Sequence, residues 1–129
     1  MPYQISWEDR GLRWRFYGKV TSQECVQSNL DIYGDARFDS LRYQIADFSE
    51  VTELSLNERD MQKIAYLDKA ACRSNPRIKV ALVAPSETAR ELLQAYTHHA
   101  SDSPWQSQVF STVEQAEQWL TQTFSFQLR

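Results

Sequence analysis

The chain has 129 residues, 42% hydrophobic and 12% aromatic, which is enough apolar material for one core and too little for two. A disordered chain is poorer in both classes and more highly charged, so a single domain over residues 1–129 is expected. Fourteen basic against seventeen acidic residues give a net charge of -3, which excludes the basic field that a nucleic-acid partner requires.

The opening stretch MPYQISWEDRGLRWRF is broken by charges every few residues, and no run approaches the roughly 20 apolar residues that cross a bilayer. Neither a signal peptide nor membrane insertion is expected, which implies a cytoplasmic location. Within that stretch Tyr3, Ile5 and Trp7 alternate with Gln4 and Ser6, and after Glu8-Asp9-Arg10-Gly11 the alternation resumes with Leu12, Trp14 and Phe16. This predicts a β-hairpin with one aromatic and one polar face. Thr21-Ser22-Gln23-Glu24 is a capping box that starts a first helix near residue 22, with Val26, Asn29, Leu30 and Tyr33 on a stripe that Gly34 ends.

Leu41 to Phe48 predicts a third strand, closed by Asp47-Phe48-Ser49. Ser55-Leu56-Asn57-Glu58 reads as a second capping box, with Ser55 as the cap of a helix whose inward stripe is Met61, Ile64, Ala65, Ala71 and Cys72. Asn75-Pro76 stops that helix. Ile78 to Ala84 is apolar on both faces apart from Lys79, as in a strand with parallel neighbours. Ser86 caps a third helix with Ala89, Leu92, Leu93, Tyr96 and Ala100 inward, a short strand spans Gln108 to Phe110, and Ser111-Thr112-Val113-Glu114 starts a last helix bearing Val113, Ala116 and Leu120. The order β-β-α-β-α-β-α-β-α predicts an α/β fold with a mixed, mostly parallel sheet of about five strands and about four helices.

Three segments carry a family resemblance: DFSEVT at 47 to 52, ALVAPSETAR at 81 to 90 and VFSTVEQAEQWL at 109 to 120. With the element order, they resemble the SpoIIAA-like family of small bacterial proteins, which is similar to STAS domains and to the lipid-binding CRAL-TRIO fold. The resemblance implies an open (β-α)n arrangement and, by analogy, a non-catalytic regulatory module that binds proteins. In STAS antagonists an acidic residue, a phosphorylatable serine and a glycine follow the strand end. The corresponding positions here fall around Ser55, Leu56, Asn57 and Glu58, so the phosphorylatable motif is missing.

Parallel α/β sheets bind ligands at the carboxyl ends of their strands, which places Asp47, Ser49, Ser55, Ser86, Arg90 and Ser111 on a candidate ligand or partner edge. A second candidate is a sheet face bearing Arg13, Arg15, Tyr17, Arg42 and Gln44, because Arg and Tyr combine contact area with directional bonding at interfaces. A protein partner or self-association is the primary expectation. The alternative is a carrier or sensor of a small apolar molecule, for which a cavity bordered by Leu54, Leu56, Met61 and Tyr96 is the predicted sign. Asp68 falls on the inward stripe of the second helix and needs a partner, Lys79 or Arg77 being the basic candidates. His98 points outward and His99 lies at the border of its helix, so no metal site is expected. Cys25 and Cys72 read as two reduced thiols, and no cofactor motif or catalytic constellation is present.

Overall fold

The computed structural model describes residues 2–127, and the side chains of residues 2–121. Strands β1 (Tyr3–Glu8) and β2 (Gly11–Thr21) form the expected hairpin, joined by Asp9 and Arg10, with Arg10 in the left-handed region at φ 59°. Helix α1 (Ser22–Tyr33) follows, and then a 3-10 helix at Ala36–Ser40 capped by Asp35 that the sequence periodicity does not show. The remaining elements are β3 (Tyr43–Ser55), α2 (Glu58–Ala71), β4 (Lys79–Val83), α3 (Glu87–His99), β5 (Gln106–Phe110) and α4 (Val113–Gln127).

The five strands lie side by side in chain order, β1 antiparallel to β2 and the rest parallel. That order dictates where the helices go. Right-handed crossovers that always step in the same direction across the sheet place α1, α2 and α3 on one face. Helix α4 makes no crossover and lies on the opposite face, over β3, β4 and β5.

The sheet therefore carries two cores. On the three-helix side Leu12, Trp14 and Phe16 of β2, Ala46 and Phe48 of β3, and Val80 and Leu82 of β4 pack against Cys25, Ile32, Met61, Ile64 and Leu93. The rings of Phe16 and Phe48 stack with centroids 4.5 Å apart. On the α4 side Ile45, Ala81 and Val83 meet Ala116 and Leu120. This two-sided burial accounts for the unbroken apolar run at 78 to 84.

Three local expectations are corrected. Strand β3 continues to Ser55, so Asp47-Phe48-Ser49 is not its end. The register between β2 and β3 slips there, from Arg15 opposite Asp47 to Tyr17 opposite Glu50, and Asp47 Oδ1 accepts the Ser49 amide at 2.9 Å. The motif is a β-bulge in which the aspartate replaces a lost ladder bond. Ser55 does not cap α2: Asn57 does, exchanging 2.9 Å bonds with Asp60 in a reciprocal box. At α4 the cap is Thr112, whose hydroxyl accepts the Gln115 amide at 3.2 Å, while Ser111 donates its own amide to Gln115 Oε1. Ser, Thr and Asn satisfy the same orphan amides, and where several stand in a row the sequence does not say which is the cap. The caps at Thr21 and Ser86 are as expected.

Candidate functional site

The predicted strand-end residues separate into two places. Asp47 is level with Val83 and Phe110, the last residues of β4 and β5, although β3 itself continues. Ser55 sits further along, exposed, opposite Thr21. Ser86 is occupied as the α3 cap, and Arg90 turns back to donate to the carbonyls of Ala84 and Pro85 at 3.1 and 2.6 Å. Arg90 and Ser111 come together along a shallow surface groove with Phe110 and Trp119. The edge as a whole does not converge on one point.

A more definite groove lies on the part of the sheet face that the described side chains of α4 leave open. It has a volume of about 230 Å³ and is lined by Gln4, Ser6, Arg13, Arg15, Asp47 and Val113. Arg13 is held by Glu8 at 2.8 Å and by Glu117 of α4 at 3.3 Å. Arg15 reaches Glu50 at 3.3 Å and Gln4 at 3.1 Å, Lys19 reaches Glu53 at 3.5 Å, and Tyr17 is 37% exposed beside them. The Arg15 and Lys19 pairs are exposed enough for water to screen them, and a partner can exchange them at little cost.

Two residues expected on this face lie elsewhere. Arg42 precedes β3 at the opposite end of the sheet, where burial and the neighbouring Arg10 and Arg77 draw its pKa below the ordinary value. Gln44 pairs with Leu12 and Val80 and points to the three-helix core, 2% exposed. Residues 42 to 48 carry apolar side chains on both parities because β3 is covered on both sides there, so alternation alone does not assign a face.

Gln44 instead helps line a cavity of about 60 Å³ between the sheet and helices α1 to α3. Leu56, Met61 and Tyr96 border it as the carrier reading predicts, while Leu54 is half-buried outside the lining. Asp68 of α2 is also in the lining, 6% exposed. Its partner is neither Lys79 nor Arg77. Lys79 Nζ donates to Gln106 Oε1 at 3.2 Å. The hydroxyls of Tyr33 and Tyr96 donate to the two Asp68 oxygens, one from α1 and one from α3. Burial raises the carboxyl to about 6 and outweighs the two tyrosine hydrogen bonds, which act in the lowering direction. The same contact, with burial the larger cause, raises both phenols. Tyr33 and Tyr96 were legible as apolar stripe residues, but nothing local marks their hydroxyls as the partners of an acid so distant in sequence.

The other titratable groups stand apart. His98 is exposed, and His99 Nε2 lies 3.6 Å from Glu58. Cys25 and Cys72 are buried free thiols, and burial pushes Cys25 up to about 12. Among the described residues no group of His, Cys, Asp or Glu is arranged to hold a metal, and no helix is long and apolar enough to cross a membrane.

No protein-family model and no curated protein matches the chain. Solved structures do. The anti-sigma factor antagonist SpoIIAA in its unphosphorylated form aligns over 92% of this chain and 96% of that one, with 13% identity and a TM-score of 0.62. The Bacillus cell fate determinant SpoIIAA in its phosphorylated form aligns over 92% and 98%, with 16% identity and a TM-score of 0.56. An uncharacterized protein of the DUF3478 family with a SpoIIAA-like fold, from Shewanella loihica PV-4, aligns over 92% and 91%, with 17% identity and a TM-score of 0.54. The chain therefore has the SpoIIAA-like fold that its sequence resembles.

Proposed function

We propose that the chain is a non-catalytic protein-interaction or regulatory module of STAS-like type, which docks a protein partner or a second copy of itself on the open face of β1 and β2. One observation carries this reading. Helix α4 covers β3 to β5 and leaves a groove lined by Arg13 and Arg15, with Tyr17 37% exposed on the same strand, and Arg and Tyr are both enriched at protein interfaces. The fold lends support by analogy, since SpoIIAA is an anti-sigma factor antagonist. Switching by a serine at the start of α2 does not suit these residues. Asn57 holds the cap, and a phosphate on Ser55, at the end of β3, would meet Glu53 and Glu58 nearby. Catalysis has little to work with, because both oxygens of Asp68 are engaged by tyrosines and the histidines lie away from the cavity.

The test is the double variant Arg15→Glu/Tyr17→Ala, with Tyr66→Ala as a control at a site 56% exposed. Loss of self-association or of partner binding in the first and retention in the second is expected. Equal behaviour of both would remove this face from consideration.

A second reading is favoured by the cavity under the helices. Its lining by Leu56, Met61 and Tyr96 suits a carrier or sensor of a small apolar molecule.

A further inference from the structure

The cavity lining is apolar with a few polar groups, and all but one of its nitrogen- and oxygen-bearing side chains are engaged within the chain. Trp14 Nε1 donates to the Ser28 carbonyl at 3.2 Å, and Ser28 Oγ and Asn29 Nδ2 both donate to the Cys25 carbonyl, at 2.7 and 3.1 Å. The Tyr96 hydroxyl is taken by Asp68. Gln44 is the exception. It is 2% exposed, it lines the cavity, and its Nε2 makes no hydrogen bond to any other described residue. Leaving a buried donor unpaired costs about 1–3 kcal/mol. The residues level with it on either side, Leu12 and Val80, are aliphatic, so an aliphatic side chain at 44 would extend the core without that penalty.

We infer that the cavity takes a small neutral molecule with an apolar body and one accepting oxygen, a carbonyl or hydroxyl, which the Gln44 amide hydrogen-bonds. This rests on the second reading above and narrows it. The body would lie against Trp14, Met61 and Leu82, and the Asp68 carboxylate in the same lining turns away anions such as carboxylic acids. The size of the site restricts the body as well. A dry apolar cavity of roughly 150 Å³ admits benzene with its six heavy atoms, whereas this one measures about 60 Å³, which points to a guest of about two or three heavy atoms.

The probes that test this are ethanol, its hydrocarbon isostere propane, and formate, each of three heavy atoms and each titrated at pH 7.5 into the full chain and into Gln44→Met. Binding is read from the Met61 methyl and the Gln44 side-chain amide by NMR. In the native chain ethanol is expected to shift both signals, the hydrocarbon only the methyl, and formate neither. Gln44→Met should weaken ethanol about tenfold, the equivalent of one hydrogen bond, without weakening the hydrocarbon. If both neutral probes bind and the variant affects them equally, or if formate binds as well as the alcohol, the inference fails while the carrier reading stands. If no probe moves the Met61 methyl, both fail. Should Gln44→Met not fold, the amide shift in the native chain decides alone: an amide that the alcohol leaves unmoved overturns the inference.

Discussion

Asp68 offers the sharpest physical test, because a buried carboxyl without a cation must leave a mark on stability against pH. The sign follows from linkage. In the unfolded chain the group titrates near its ordinary 3.8, and in the folded chain near 6. Between those values the folded chain holds a proton that the unfolded chain has released, so this group's contribution to stability declines as pH rises from about 4 to about 6.5 and is level above that. Each such pH unit is worth about 1.4 kcal/mol, and the interval from 3.8 to about 6 covers roughly two of them, so the decline is on the order of 3 kcal/mol. Its neighbours stay neutral throughout, since the pKa values of Tyr33, Tyr96 and Cys72 all lie above their ordinary values. Asp68→Asn removes the titration, and the amide can still accept from one tyrosine and donate to the other. Urea unfolding of both proteins at half-unit steps from pH 4 to pH 7.5 isolates the effect, because contributions of other carboxylates cancel in the difference. The stability of the native chain relative to Asp68→Asn should fall with rising pH by about that amount. A difference that is flat, or that rises with pH, would refute the buried, cation-free setting of Asp68.

Other substitutions test the local corrections. Asn57→Ala should lower stability by about 1 kcal/mol through loss of the α2 cap, while Ser55→Ala should change it by less than about 0.5 kcal/mol; denaturation midpoints separate the two. Gly11→Ala would place a Cβ within 1.9 Å of Tyr43 Cζ, and forcing that ring aside should cost about 1–3 kcal/mol in the same assay. Asn75→Ala removes 2.8 and 2.9 Å bonds to the carbonyls of Phe38 and Leu41 at buried positions, and a loss of about 2–4 kcal/mol with a lowered melting temperature is expected.

The architecture was legible because its signals are local and repeated. The amphipathic hairpin, the Thr21 and Ser86 caps, the apolar run at 78 to 84 and the alternation of strands and helices each rest on residues within one or two turns of each other. Given chain-order strands, crossover handedness alone then assigns three helices to one face. The site was less legible for two reasons. A strand buried on both faces loses the alternation that tells inside from outside, which is how Gln44 was assigned to the open face. The partners of Asp68 come from α1 and α3, and such a long-range pairing of hydroxyls leaves no trace in spacing. The Asp47-Phe48-Ser49 segment shows a third limit, since an aspartate beside a serine suits a strand end and a bulge equally well.

Native mass spectrometry of the protein purified from its own host, compared across the native chain, Arg15→Glu/Tyr17→Ala and Tyr66→Ala, tests the proposed role most directly. A defined complex, either a dimer or a one-to-one assembly with another protein, should be present in the native chain and in Tyr66→Ala and absent from the double variant. A monomer in all three spectra, or a complex that the double variant retains in full, would contradict docking on the open face of β1 and β2.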